Sequence, residues 1–231
     1  MGRGELKIFA NRSGEEFAKR ILRELNKIKD DPIKLGALET RDFANQETLA
    51  TINETIRGAD VYLIQNCQDP NSKRSVHDNF IELCQTARGM KQSGANKITL
   101  VIPMLPYSRQ DRKNGRQAIT ARWTADIMKV SGVDNVITAD LHSDQIEGFY
   151  DGRIHIDNLK ASAVFLNYIK EKIYNSDTTV FLAADVGASK KTQYYAKKLG
   201  TREIAQAFKT RSVPNQVDAI KIAGYVLKEK I

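Results

Sequence analysis

Cysteine is scarce in this chain. There are two, Cys67 and Cys84, in 231 residues, and their separation fits no metal-binding pair. A disulfide framework and a thiolate zinc site are therefore excluded as organising devices, and both thiols are expected to be reduced, packed side chains of a cytoplasmic protein. Long apolar runs are missing as well. No stretch approaches the roughly 18 residues needed to span a bilayer, and the amino-terminal MGRGELKIFAN has no signal-peptide core, so no membrane partner is expected. A Walker phosphate loop, a G-x-S-x-G elbow and a complete G-x-G-x-x-G are all absent, which sets aside P-loop kinases, serine hydrolases and Rossmann dehydrogenases. No low-complexity segment and no usable internal repeat occurs.

Basic side chains are in excess, 36 Lys and Arg against 28 Asp and Glu, for a formal net charge of +8. Such an excess suits nucleic acid, a membrane surface or phosphorylated small molecules. The cations are scattered along expected helices (Lys19, Arg20, Arg23, Lys27, Lys29; Lys190, Lys191, Lys197, Lys198) and are not interleaved with aromatics. Most of them read as solvated helix faces, and no nucleic-acid partner is expected. With 28% charged and 41% hydrophobic residues, the chain suits one large or two smaller globular domains.

The organising stretch is ITLVIPMLPYSRQDRKNGR, residues 98–116. Its apolar, β-branched first half (98–105) predicts a strand buried on both faces of a parallel sheet. Pro106 then leads into Arg109, Gln110, Asp111, Arg112 and Lys113. Ligands of open α/β sheets bind just beyond the carboxyl ends of such strands, and three cations gathered there suit an anion, phosphate first; a solvated turn is the plainer alternative.

Along the rest of the chain, strands are expected at 6–10, 61–65, 134–139 and 179–185, with 33–38 and 48–52 pairing around FANQE (43–47). Ser13 and Glu16 fit a capping box, ahead of a helix burying Phe17, Ile21, Leu25 and Ile28. Further helices follow from Phe80, Leu83, Cys84 and Ala87, from 119–130, from Phe165, Leu166, Ile169 and Ile173, and from 189–199. The alternation predicts βαβ units and recurs on both sides of residue 157, giving an N-terminal domain over 1–156 and a second over 157–231.

Three constellations could carry chemistry. Asp140 and His142 close the strand at 134–139, and two apart on an extended chain they point to one side, suited to a divalent ion or a phosphate. Hydrogen bonding within the fold is the plainer role for His142. Asp185 ends the strand TVFLAAD and reads equally as an oxygen ligand for Mg²⁺ or as a helix N-cap. Lys209 and Arg211 in AFKTRS alternate on an extended segment and could neutralise charge on a transferring phosphoryl group.

The collinear series FANQE, NETIRGAD, DNFIEL, YSRQDRK, ITAR, TADLHSDQIEGFY, IDNL, AADVGA and FKTR resembles the ribose-phosphate pyrophosphokinases, or phosphoribosyl-pyrophosphate synthetases. The resemblance implies two α/β domains of type I phosphoribosyltransferase-like parallel sheets flanked by helices, the second apparently incomplete, in a homo-oligomer, dimer or hexamer. It implies transfer of the pyrophosphoryl group of ATP to the 1-hydroxyl of ribose 5-phosphate, with AMP leaving and Mg²⁺ required. Arg109, Gln110 and Asp111 match the loop that holds ATP, and Phe43, Asn45 and Glu47 match an adenine-side loop lent by a neighbouring subunit. His142 and Asp185 match Mg²⁺-linked positions, and Lys209 and Arg211 match flexible-loop cations assigned to the transition state.

The chain also departs from that pattern. Asn45 stands where the family usually has Asp, and the stretch after Lys113 is shortened, with Ala118 in place of Pro. Ala184 and Ala188 replace Pro and Gly, and no acidic Gly/Thr-rich loop for the acceptor's phosphate occurs among these residues. Two functions follow as expectations: a ribose-phosphate diphosphokinase, or a non-catalytic, nucleotide-binding regulatory subunit of synthetase type.

Overall fold

The structure, a computed structural model, describes residues 4–150, 152, 154–201, 204–210 and 219–224. It divides into two units, Met1–Leu159 and Lys160–Ile231.

The first unit is built on five parallel strands in the order β1-β4-β5-β6-β7: β1 (Leu6–Ala10), β4 (Asp60–Ile64), β5 (Lys97–Val101), β6 (Asn135–Ala139) and β7 (His155–Leu159). Helices α2 (Val76–Gln92) and α3 (Thr120–Val130) cover one face, where Phe9, Leu63, Phe80, Leu83, Ile98 and Leu100 are fully buried. Helix α1 (Glu15–Leu25) covers the other face over Ile8 and Ile64. The sheet is thus apolar on both sides, as its unbroken β-branched runs require.

The organising strand is the middle one. Its ladder is shorter than the apolar run because Pro103 has no N–H to continue it, and the Pro103 carbonyl instead accepts from Ala139 N at 3.2 Å. A break after residue 156 is expected from the sequence, yet Asp157 and Asn158 pair with Ile137 and Thr138, so the first unit runs on through Leu159.

Helix α1 corrects two expectations. Arg12–Gly14 forms a 3-10 turn, so the helix begins after it with no side-chain cap from Ser13. Its buried residues are Ala18 and Leu22, with the expected Ile21 and Leu25 half-buried against the same cluster, whereas Phe17 and Ile28 are 38% and 82% exposed. Gly14 sets this approach: a Cβ there would lie 2.2 Å from the Ile64 carbonyl oxygen. The capping box belongs to α2 instead, where Ser75 Oγ accepts from Asp78 N at 3.2 Å and Asp78 Oδ2 accepts from Ser75 N at 2.9 Å. Phe80, Leu83, Cys84, Ala87 and Met90 then recur at helical spacing and are buried. Both cysteines are buried free thiols, and burial pushes the Cys84 thiol up to about 12.

Strand β2 (Leu38–Asp42) pairs antiparallel with β3 (Thr48–Ile52), with Asp42 opposite Thr48. The expected partner segment lies a few residues earlier because Leu35 bridges Ile8 and Gly36 N donates to the Ile8 carbonyl, so that part of the chain follows β1 instead.

The second unit carries α4 (Ser162–Lys172), β8 (Phe181–Ala183), α5 (Ser189–Lys198), β9 (Ile204–Thr210) and β10 (Ala219–Gly224). Its sheet has the order β10-β9-β8, with β8 and β9 parallel and β9 and β10 antiparallel. Strand β8 is shorter than the expected 179–185. On α4, Phe165 and Ile173 of the expected apolar side are 51% and 59% exposed. Among the described residues no helix is long and apolar enough to cross a membrane.

Neighbours on α2 give a test of this packing. Phe80 is fully buried and Ile81 is 53% exposed. Phe80→Ala should lower unfolding stability by about 3–5 kcal/mol and Ile81→Ala by about 0.5, read as denaturant midpoints at constant m-value; equal losses would contradict the burial pattern.

Candidate functional site

Parallel pairing of β5 with β6 puts their carboxyl ends side by side, and the loops that leave them are those carrying Arg109 and His142. Among the described non-glycine residues, positive φ occurs at Gln46 (70°), Tyr107 (59°) and Asp140 (47°). Each lies in one of the three loops nominated from the sequence: the hairpin turn, the cation loop and the segment after β6. Backbone held in this sparsely populated region clusters at functional sites. It also corrects the extended reading of Asp140 and His142, because the left-handed Asp140 breaks the alternation on which a shared side depends.

The cation loop is fixed from inside and open outside. Tyr107 shares a 2.5 Å hydrogen bond with His77 Nδ1 and packs edge-on against Phe80 and Trp123. Gln110 Oε1 accepts from Thr120 Oγ1 at 2.5 Å, and the Gln110 carbonyl accepts from Ala121 N at 3.1 Å, which seats the loop on the start of α3. Asp111 turns inward, 8% exposed, and its Oδ2 accepts from Ser143 Oγ at 2.6 Å and Gln145 Nε2 at 3.1 Å. The Ser143 hydrogen bond holds the Asp111 carboxyl below the usual carboxylate range; burial opposes this, and the His142 ring adds to it.

Arg109, Gln110, Arg112 and Lys113 are exposed. Arg109, Gln110, Arg112, Asn114 and Gln117 line a cavity of about 650 Å³. Two guanidinium groups and three amides, with no acidic side chain in its wall, give this cavity a lining chemically suited to a polyanion. Gly115, at φ 62°, makes the turn within the shortened stretch.

Within one chain the structure does not bring Phe43 and Glu47 to that cavity. They line a different one, of about 600 Å³, between the hairpin tip and the outer face of α2, with His77, Asp78, Ile81 and Arg88. Asn45 caps the hairpin turn itself, its Oδ1 accepting from Glu47 N at 3.2 Å, and Arg41 lies 5.5 Å over the Phe43 ring. The hairpin is pinned at its base. Asp42 accepts from Arg12 at 2.7 and 2.8 Å and from Arg74 at 3.0 Å, and the same two guanidinium groups meet the fully buried Glu82 at 2.5 and 3.3 Å. Arg12 holds the Asp42 carboxyl far below the usual range, against the opposing effect of burial.

In the second unit, Asp185 is an N-cap: its Oδ1 accepts from Ala188 N at 3.0 Å, ahead of α5. Lys209 lies in β9 opposite Ile220 of β10, so its segment is a paired strand where a flexible loop is expected from the resemblance. Arg211 lies outside the described residues. Among the described residues no cluster of three or more His, Cys, Asp or Glu forms a ready-made metal cage. His142 is exposed at the carboxyl end of β6.

Sequence reasoning missed Arg12, Arg74, Glu82, His77 and Ser143. All act across long sequence separations, and the one local signal was an unpaired Glu on the buried face of α2.

The family model for the N-terminal domain of ribose phosphate pyrophosphokinase matches residues 6–132. Among solved structures, the chain is similar to phosphoribosylpyrophosphate synthetase from Mycobacterium smegmatis, at 32% identity and a TM-score of 0.82, covering 95% of this chain and 67% of that one.

The hairpin anchor has a pH signature. Because the folded Asp42 carboxyl is held low, its stabilisation is fully present above the ordinary carboxylate range and fades as pH falls through and below about 4. Asp42→Asn should therefore be less stable than the native chain at pH 7 by about 1 kcal/mol, allowing for solvent screening, with the gap starting to narrow below about pH 4 and lost only as pH falls through the depressed folded value. Glu82→Gln, which leaves two guanidinium groups short of a buried partner, should cost about 2–3 kcal/mol. Denaturant titrations across pH check both.

Proposed function

Since the chain belongs to the ribose phosphate pyrophosphokinase family, we propose that it takes part in transfer of the β,γ-pyrophosphoryl group of ATP to the 1-hydroxyl of ribose 5-phosphate. The observation that carries this reading is the cation loop after β5. It sits inside the matched region, presents Arg109, Gln110 and Arg112 to one cavity, and adjoins the His142 loop. In the transfer, the sugar's 1-hydroxyl oxygen bonds to the β-phosphorus and gives up its proton to solvent, the bond from that phosphorus to the α–β bridging oxygen breaks, and AMP leaves with the electron pair. Such chemistry needs positioning and charge neutralisation more than covalent help.

Arg109 and Gln110 hold the nucleotide phosphates in this reading. Lys209 and Arg211 neutralise charge as the leaving group departs. Mg²⁺ would be served by His142 and by Asp185, the positions the resemblance links to it, and would supply charge neutralisation on the transferring group. Phe43, Asn45 and Glu47 serve the adenine side, and since the hairpin lines a cavity of its own, they act on a neighbouring copy's nucleotide in a homo-oligomer. A cytoplasmic setting, where ATP and sugar phosphate are supplied, completes the proposal.

The test is in two steps. Calorimetric titration with Mg·ATP should show binding, and Arg109→Ala should weaken it by about 10- to 100-fold, the loss of one or two charge-assisted hydrogen bonds. Addition of ribose 5-phosphate should then release AMP. Binding without AMP release favours the regulatory, non-catalytic subunit; no binding removes both.

A further inference from the structure

The resemblance assigns Asp111 to the loop that holds ATP, but its carboxylate faces the other way. Four of the five residues 109–113 are exposed, and Asp111 alone is buried, absent from the walls of the cavity its neighbours line. A carboxylate aimed at a polyphosphate would repel it; this one is spent on Ser143 and Gln145. Gln145 Nε2 also reaches the Asp111 carbonyl at 3.1 Å, so backbone and side chain are both held.

The anchors are rigid. Gln145 is the second residue of the turn Asp144–Phe149, whose Ile146 is fully buried in the core. Asn158 on β7 secures the same segment from behind, accepting from Leu141 N at 3.2 Å and donating to Glu147 Oε1 at 2.9 Å. His142 is the residue between these fixed points.

Resting on the proposed function, we infer that Asp111 is a positioning residue whose carboxylate latches the cation loop to the segment after β6, so that Arg109 and His142 meet the phosphates of the nucleotide as one preorganised unit. A latched loop has already given up conformational freedom that an unlatched one would lose on binding, so the latch shows as affinity. Its partner Ser143, whose hydroxyl donates to that carboxylate, acts through Asp111.

The experiment uses the full 231-residue chain and two readouts. Amide exchange at Gln110 and Ala121, both hydrogen-bonded in the loop–helix seat, is followed without nucleotide; Mg·ATP affinity is measured by titration. Ser143→Ala, which loses one hydrogen bond, and Asp111→Ala, which loses those to Ser143 and Gln145, should each speed exchange and weaken Mg·ATP by about 3- to 10-fold or more. The double variant should be no worse than the worse single one.

Asp111→Asn keeps an acceptor oxygen for both partners, so it should lose clearly less affinity than Asp111→Ala and retain most of the exchange protection. The latch is overturned if Ser143→Ala changes neither readout, or if Asp111→Asn weakens Mg·ATP as much as Asp111→Ala does, as a direct ligand of phosphate-bound magnesium would require. Should the native chain bind no Mg·ATP, the functional reading fails, while the exchange rates of Ser143→Ala still decide the latch.

Discussion

The parallel register of β5 against β6 is the constraint on which the rest of the first unit depends. With Val101 opposite Ile137, both strands run out at the same edge of the sheet, and two loops separated in sequence by α3 and β6 leave from neighbouring points. No local signal could supply that adjacency. It follows from burial: Ile98, Leu100 and Val136 have no solvent exposure, and a strand apolar on both faces is stable only in the interior of a covered sheet. Once β5 is central, a proline that cannot extend the ladder sends the chain outward, and the cations it carries gather where the sheet ends.

Around that edge, polar interactions set shape where apolar ones set position. Tyr107 is locked by an imidazole and two aromatic rings, Gln110 by the first turn of α3, and Asp111 by Ser143 and Gln145. The hairpin is held by two arginines bridging one half-exposed and one buried carboxylate. Buried charges of this kind are costly unless every partner is in place, so the arrangement is specified all together or poorly. The three left-handed residues in the three loops fit the same pattern, since such backbone persists only where surrounding contacts over-determine it.

Much of the fold was legible from residue patterns. The central strand, the buried face of α2 and the helix at 119–130 follow from periodicity, because burial is what periodicity records. What was not legible has a common cause. The displaced face of α1 comes from Gly14 resting on the Ile64 carbonyl, the later start of β2 from the edge of β1 capturing Leu35 and Gly36, and the inward turn of Asp111 from a serine 32 positions away. Each is a tertiary contact overriding a local preference. The candidate residues divide the same way: the strand-end position of Arg109, Gln110 and His142 follows from where apolar runs stop, whereas the antiparallel partner of the extended segment carrying Lys209 is a tertiary contact that no local pattern names.

One imidazole ties together two places that otherwise share nothing. His77 stands in the wall of the cavity beneath the hairpin, and the same ring holds the strained Tyr107 at the root of the cation loop. A substitution at His77 therefore alters, in one step, the wall of that cavity and the contact that holds Tyr107 at the start of the cation loop.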